Sequence, residues 1–234
     1  MKNISLLGIL FLLIVGCSSN ENEMKLTGNV KGLKKGTLLL QRFEDTVLVS
    51  VDSVLIDGDS NFSFTETVES PELYYLYVRL KDGTLRDDRI AFFAEPGEMT
   101  LNTNLKKFGY EAKITGSKNQ EKLEEYLKLS QRYTDKNLEM IQQTLFAKQN
   151  GKDSLVDDLE QKRDRNLRSS YLATINYAIN NKDKEIAPYL ALSEIYDANV
   201  KFLDTIYVSL EPKIKSSKYG KALKKYISEV KVEK

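Results

Sequence analysis

Chemistry needs reactive side chains, and this sequence supplies few kinds of them. Its 234 residues include no histidine, no tryptophan and one cysteine, Cys17. That composition excludes Ser-His-Asp and Cys-His nucleophilic arrangements, zinc sites built on His or Cys, and the paired thiols of a C-x-x-C redox motif. Carboxylates, lysines and tyrosines remain. Asp87 and Asp88 are adjacent and could act as acid and base, but Arg86 and Arg89 flank them. Neighbours on extended backbone point apart and the arginines hold both carboxyls ionised, so a solvated, salt-bridged turn is expected. Asp57-Gly58-Asp59-Ser60-Asn61 begins like a calcium loop, yet Phe62 stands where that loop needs Gly and Val68 where it needs Glu. A hairpin turn is expected there, with no metal and no cofactor. Tyr75, Tyr77 and Arg79 form the one candidate binding face, because aromatics with Arg are the types enriched at binding patches. Packing under a covering layer is the competing expectation for the two tyrosines.

Cys17 has its own context. Lys2 precedes an apolar run from Leu6 to Val15, and small Gly16 stands just before the cysteine. This is a signal-peptide layout, and the run is too short for a spanning helix, which needs roughly 20 residues. Ile14-Val15-Gly16-Cys17 resembles the bacterial lipoprotein box, in which the cysteine sulfur is acylated and the leader is cut in front of it. The resemblance implies residues 1–16 as leader, Cys17 as the lipidated first residue, and 17–23 as lipidated Cys and tether. Acyl chains buried at ~0.8 kcal/mol per methylene make such an anchor permanent, so membrane lipid is the first partner expected. Ser18 stands where lipoproteins kept at the inner membrane carry Asp, which favours the outer membrane, in a periplasmic or surface-facing position. The acidic, polar run Ser19 to Glu23 reads as a solvated tether.

Charge adds a bound. Without residues 1–16 the chain loses Lys2 alone among its charged residues, leaving 34 basic against 34 acidic side chains. Neutrality gives no footing for nucleic acid, which needs a basic excess. Lys213 to Lys234 is locally basic and could lie against anionic lipid or an acidic partner; a solvated amphipathic helix burying Ala222, Leu223, Tyr226, Ile227 and Val230 is the favoured reading. Asp45-Thr46, Asp52-Ser53, Asp153-Ser154 and Asp204-Thr205, each followed by an aliphatic residue, resemble an O-glycosylation sequon of some Gram-negative envelopes, and the last two also suit helix N-caps.

The elements that would position these residues fall into two halves. From 24 to 115 short strands alternate with turns: Tyr74, Leu76, Val78 and Leu80 share one face, Tyr75, Tyr77 and Arg79 the other, and Pro96-Gly97 turns between two strands. That pattern predicts an antiparallel β-sandwich or partly open barrel. From 116 to 234 the period becomes helical. Ser117-x-x-Gln120 fits a capping box, and Leu123, Leu127, Ser130, Thr134, Leu138, Ile141 and Leu145 trace a stripe up to Asn150-Gly151. Leu155, Leu159, Leu167, Tyr171, Ile175 and Ala178 give the inward face of a second helix, pairing with the first as a hairpin, and shorter helices follow. The fold class expected is α+β, with an all-α C-terminal domain.

"LTGNVKGLKKGTLLLQ", "DSVLIDGDSNFSF", "SPELYYLYV", "FFAEPGEMTL", "ITGSKNQ" and "SSKYGKALKKYI" recur in an order that resembles the domain of unknown function preceding thioredoxin-like domains of the peroxiredoxin/TlpA type in Gram-negative envelope lipoproteins. The resemblance implies a β-sandwich, a helical region and an envelope location. Its motifs are turn and packing signatures, and the C-x-x-C module that follows in the two-part proteins has no counterpart here. The expectation is therefore a lipid-anchored, non-catalytic binding or scaffolding module with an envelope protein partner. The alternatives are an accessory subunit of a thiol-disulfide relay whose thioredoxin-like partner is a separate chain, and a carboxylate-based hydrolase of envelope glycan.

Overall fold

The computed structural model describes residues 21–84 and 88–232. The leader, Cys17, Arg86 and Asp87 lie outside the described residues.

Period-two alternation produces β1 (Glu23–Lys31), β2 (Lys35–Glu44), β3 (Val47–Asp57), β4 (Asn61–Thr67), β5 (Glu72–Leu80), β6 (Ile90–Ala94), β7 (Gly97–Asn104) and β8 (Lys113–Thr115). They pack as two four-stranded sheets, ordered β4-β1-β7-β8 and β3-β2-β5-β6. Neighbours run antiparallel except β1 and β7, which are parallel. The sheets stay open as a sandwich. Leu26, Leu38, Leu40, Phe64, Tyr74 and Phe92 are among the side chains buried between them. The β3–β4 and β6–β7 connections each cross from one sheet to the other. "DGDSN" is thus a corner between sheets and not a hairpin turn: Asp59 accepts from the Asn61 backbone at 3.0 Å, and Asp57 pairs with Lys35 at 2.8 Å. At the second corner Gly97 takes φ 115°, the left-handed conformation that glycine adopts without strain.

The helical half comprises α1 (Lys118–Gln149), α2 (Asp153–Asn180), α3 (Ile186–Ser193), α4 (Val200–Ser209), α5 (Pro212–Lys215) and α6 (Lys218–Val232). α1 and α2 form the expected hairpin, with Gly151 at φ 62° in the break. The buried line along α1 differs from the expected stripe. It runs through Leu123, Tyr126, Met140, Thr144 and Ala147, opposite Val156, Leu159, Asn166 and Thr174 of α2. Leu127, Leu138 and Leu145 with Leu155 and Leu167 are instead 41–57% exposed. The reason is polar pairing in the seam. Asn166 Nδ2 donates to the Tyr133 carbonyl at 2.9 Å, Arg163 Nε to Asn137 Oδ1 at 3.2 Å, and the Tyr126 and Thr174 hydroxyls share a hydrogen bond of 3.0 Å. Contacts of this kind leave no apolar period to read. The remaining helices close a separate core over the end of α2, with Ile175, Ala178, Leu203, Ile206, Leu223 and Ile227 inside. Among the described residues no helix is long and apolar enough to cross a membrane.

Candidate functional site: the seam between sandwich and helices

A cleft of about 1370 Å³ opens where the sandwich meets the helical half, near the point at which the described chain begins at Glu21. Its floor is a charged cluster. Glu72, at the start of β5, is 7% exposed. It forms an ion pair with Lys218 at the start of α6, and lies 3.8 Å from Arg42 of β2. Arg42 also donates to the Tyr74 hydroxyl at 3.3 Å and pairs with Glu44 at 3.0 Å. Lys218 adds a bond from its Nζ to the Phe43 carbonyl at 3.2 Å and one from its backbone N–H to Ser70 Oγ at 3.1 Å. Each end of this cluster belongs to a different half of the chain, so its ion pairs hold the halves together. Charges removed this far from water need such partners to be tolerated at all.

The opposite wall is a hydrogen-bonded knot around the start of α1. Glu95 accepts from Ser117 Oγ at 2.9 Å and from the Lys118 and Asn119 backbone N–H groups at 3.2 and 2.6 Å. A carboxylate there both satisfies orphan donors and meets the positive end of the helix dipole. Ser117 caps as expected, accepting from Gln120 N at 2.9 Å. Gln120 does not complete the box; its Oε1 accepts instead from the Phe93 N–H of β6 at 3.0 Å. Asn119 donates to Glu185 at 2.9 Å and accepts from the Ile186 N–H at 2.7 Å, so α1, α3 and an edge of the sandwich are joined through one turn of helix.

Between these walls lie aromatic rings. Phe93 is fully buried, edge-on to Tyr189 of α3 at 5.3 Å and to Tyr219 of α6 at 6.2 Å, and those two tyrosines meet at 5.3 Å. The Tyr219 hydroxyl accepts from the Leu73 N–H at 3.0 Å. Burial pushes the Tyr189 phenol up to about 12, and raises Tyr219 further. Gly220 lets this turn close up, since a Cβ there would meet the Ile214 carbonyl oxygen at 2.0 Å.

Glu66 has its pKa raised, first by burial and then by the nearby Asp52, with Arg42 opposing. It lines the same cleft. The described residues gather no group of three His, Cys, Asp or Glu side chains able to hold a metal.

Tyr75, Tyr77 and Arg79 do share one face of β5, the face turned away from the sandwich core, but they do not form one open patch. Tyr75 is half-buried against the seam and edge-on to Phe43 at 5.6 Å. Tyr77 is 8% exposed beneath the Arg89 guanidinium, 5.1 Å from its ring centre. Arg79 is exposed. Asp88, from the same loop as Arg89, accepts from the Gly109 N–H at 3.4 Å. In the basic C-terminal stretch Leu223 and Ile227 are buried and Tyr226 half-buried, while Ala222 is exposed. Several lysines have partners: Lys218 on Glu72, Lys231 on Asp204 at 2.6 Å, and Lys215 on the Val208 carbonyl at 2.9 Å. Thr46, Ser53, Ser154 and Thr205 are all exposed. Neither Asp153 nor Asp204 is an N-cap: α2 is preceded by Lys152, and Asp204 lies within α4, which Asn199 caps.

Sequence reasoning singled out none of Arg42, Glu72, Glu95, Asn119, Glu185 or Lys218 as a site residue. Their signal was nonetheless on view, because four of the six segments that carry the family resemblance contain the seam: "SPELYYLYV" holds Ser70 and Glu72, "FFAEPGEMTL" Phe93 and Glu95, "ITGSKNQ" Ser117 to Gln120, and "SSKYGKALKKYI" Lys218 to Gly220. Residues 24–123 match a family described as a domain of unknown function (DUF4369). No curated protein and no solved structure matches the chain. The matched stretch ends at Leu123, past the turn at Gly116, and so takes in the residues of α1 that bond to β6 and α3.

Proposed function

We propose that this chain, which carries that domain of unknown function over residues 24–123, is a lipid-anchored envelope lipoprotein working as a non-catalytic binding or scaffolding module. One observation carries the non-catalytic reading. The polar groups gathered in this cleft are committed to partners: Glu72, Glu95 and Lys218 each across the junction of the two halves, and Glu185 to Asn119 within the helical half. A reacting acid or base must present its atoms to a substrate, and the hydrogen-bonding atoms of these four are taken up by partners within the fold. The cleft is thereby a rigid, charged surface beside the tether, suited to contacts with another envelope component. The anchoring reading rests on the sequence around Cys17.

A second reading, carboxylate-based hydrolysis, is favoured by Glu66 alone, because a carboxyl raised by burial and a neighbouring Asp52 is the usual setting of a general acid. One experiment separates the two. The native protein and its Cys17→Ala and Glu66→Gln variants are compared in cells for palmitate labelling, membrane association and proteins captured by a photo-reactive residue at Arg79, and as purified proteins for release of reducing sugar from envelope glycan. The module reading expects lipid label and membrane association lost with Cys17→Ala, a discrete captured protein, and no release with or without Glu66. Unchanged fractionation of Cys17→Ala would remove the anchor. Turnover abolished by Glu66→Gln would replace the module with an enzyme.

A further inference from the structure

We propose that β3 is a self-pairing edge that joins two copies of this chain about a two-fold axis, making one continuous sheet from two. β3 ends its sheet, and its side away from β2 pairs with no strand among the described residues. Edges of this length are commonly blunted by proline, lysine or an inward charge. Over residues 47–56, "VLVSVDSVLI", there is no proline and no lysine; the sole charge, Asp52, is turned inward opposite Leu40 and with the bulge beside it blunts the middle of the edge, while Val47 is 61% and Leu55 76% exposed towards its ends.

The sequence of that edge reads nearly the same in both directions. About a centre between Val51 and Asp52, Val47 mirrors Ile56, Leu48 mirrors Leu55, Val49 mirrors Val54 and Ser50 mirrors Ser53. Antiparallel strands related by a two-fold perpendicular to their sheet keep each residue on its own face, so a regular strand must pair residues of equal parity. A palindrome centred between two residues pairs odd with even, and in a regular strand it would set inner residues against outer ones. The β-bulge removes the mismatch. Pairing with β2 runs from Asp52 opposite Leu40 to Ser50 opposite Gln41, skipping Val51. Beyond it the alternation is shifted by one, as a bulge requires. Val49 and Val54 therefore both lie on the inner face, opposite Arg42 and Leu38, and Leu48, Ser50, Ser53 and Leu55 all lie on the outer face, opposite Phe43, Gln41, Leu39 and Thr37.

In the paired arrangement Leu48 of each copy meets Leu55 of the other, Ser50 meets Ser53, Val49 meets Val54, and the two bulges face one another at the axis. Like opposes like on matching faces throughout, except at the centre, where Val51 meets Asp52. The exposed Glu44-Asp45 turn before β3 comes beside the far end of the second copy's strand, where Lys34 is exposed and Lys35 is already paired with Asp57. A foreign extended segment could use the same hydrogen bonds, but it would have no call on the mirror symmetry of this strand. The second copy is the occupant that the sequence fits.

Sedimentation equilibrium of the full chain in density-matched detergent tests this with two double variants that alter the outer face alone. Leu48→Lys with Leu55→Lys places like charges opposite each other twice across the axis, whereas Leu48→Lys with Leu55→Glu places opposite charges there. The parent is expected to associate reversibly to dimers, the Lys/Lys variant to dimerise ~10-fold more weakly, and the Lys/Glu variant to return to within ~3-fold of the parent. A parent that stays monomeric at the highest concentration reached overturns the proposal. So does a Lys/Lys variant that dimerises as well as the parent, or a Lys/Glu variant no better than Lys/Lys. Leu55→Lys alone, at a position that is three-quarters exposed, sets a lysine against Leu48 at both ends; should the double variants lose native circular dichroism, it is expected to weaken dimerisation ~3-fold by loss of the apolar contact, and dimerisation as tight as the parent's overturns the proposal.

Discussion

Where α6 and α3 dock on the sandwich, the contact is made of rings and directed polar bonds: Phe93 between Tyr189 and Tyr219, Lys218 on Glu72, Asn119 on both Glu185 and the Ile186 backbone. Where α1 lies along α2, the contact is long and polar at its middle, and leucines that could have filled it face outward. Both are helix contacts of one chain, yet the first fixes geometry and the second tolerates exchange. A seam built round one fully buried ring, Phe93, and committed charges loses several interactions if any one is removed, because its partners are left unpaired away from water. A seam held at its middle by separate polar pairs loses only what was removed. The docked seam is then the part that gives the molecule one shape, and the outer reach of the hairpin the part free to vary.

The contrast is broken or upheld first at Phe93. Phe93→Ala removes a fully buried ring and its contacts with both tyrosines, for a loss of ~3–5 kcal/mol in urea unfolding. A loss below ~1 kcal/mol would mean that the rings merely cover a surface already fixed by the sandwich. Glu72→Gln is next. It leaves Lys218 without its carboxylate while Arg42 keeps Glu44; because Lys218 is partly open to water, the expected cost is ~2 kcal/mol, below that of a fully buried pair. Lys218→Met with Glu72→Gln should recover part of that loss, and a double variant worse than the sum of the singles would contradict the pairing.

How much of this could be read beforehand follows from the same contrast. The strands announced themselves because each presents one face to a single apolar core, so Tyr74, Leu76 and Val78 alternate cleanly with Tyr75, Tyr77 and Arg79. The change to helix at Ser117 was legible from its cap, and so was the break at Gly151. The sheet-crossing corners were not, because a corner and a hairpin call on the same turn residues. The α1 stripe was misplaced by polar residues in the hairpin seam, which a reading based on apolar spacing cannot see. The charged floor of the cleft escaped for a third reason. Glu72 and Lys218 are 146 residues apart, and no local pattern marks residues that meet only through the tertiary fold.

Alkaline pH sharpens the contrast without a substitution. Tyr189 has its pKa pushed up to about 12 by burial, whereas the same phenol in the unfolded chain ionises near its ordinary value of about 10. Below about 10 both states are protonated and the packing is fully stabilising. Between about 10 and 12 the unfolded state gives up its proton and the folded state does not, so stability falls with rising pH by up to ~2 kcal/mol from this group. Tyr219, raised in the same direction by burial, adds to the slope. Urea titrations from pH 8 to 11 should show the loss, and Tyr189→Phe should lower the slope by that group's share, leaving the shares of Tyr219 and of Tyr126 and Tyr177 in the hairpin, which burial also raises. An unchanged slope in that variant would place the alkaline sensitivity elsewhere.

The smallest effect is the one expected at Asn166→Leu, in the middle of the hairpin. Asn166 is buried and its amide donates to the Tyr133 carbonyl, which also lies within a helix and has the ordinary ladder donor available to it. Removing the amide therefore orphans no strong acceptor, and the leucine adds apolar area beside Met140 and Leu129, neighbours of Asn166 in the groove between the helices. The two terms oppose each other, each at ~1 kcal/mol, and the net change in unfolding free energy should stay within ~1 kcal/mol of zero. A loss of several kcal/mol would show that the polar middle of the hairpin specifies its register as tightly as the rings specify the docking. The outward leucines would then have been excluded from the seam by that specification and not left over by a tolerant one.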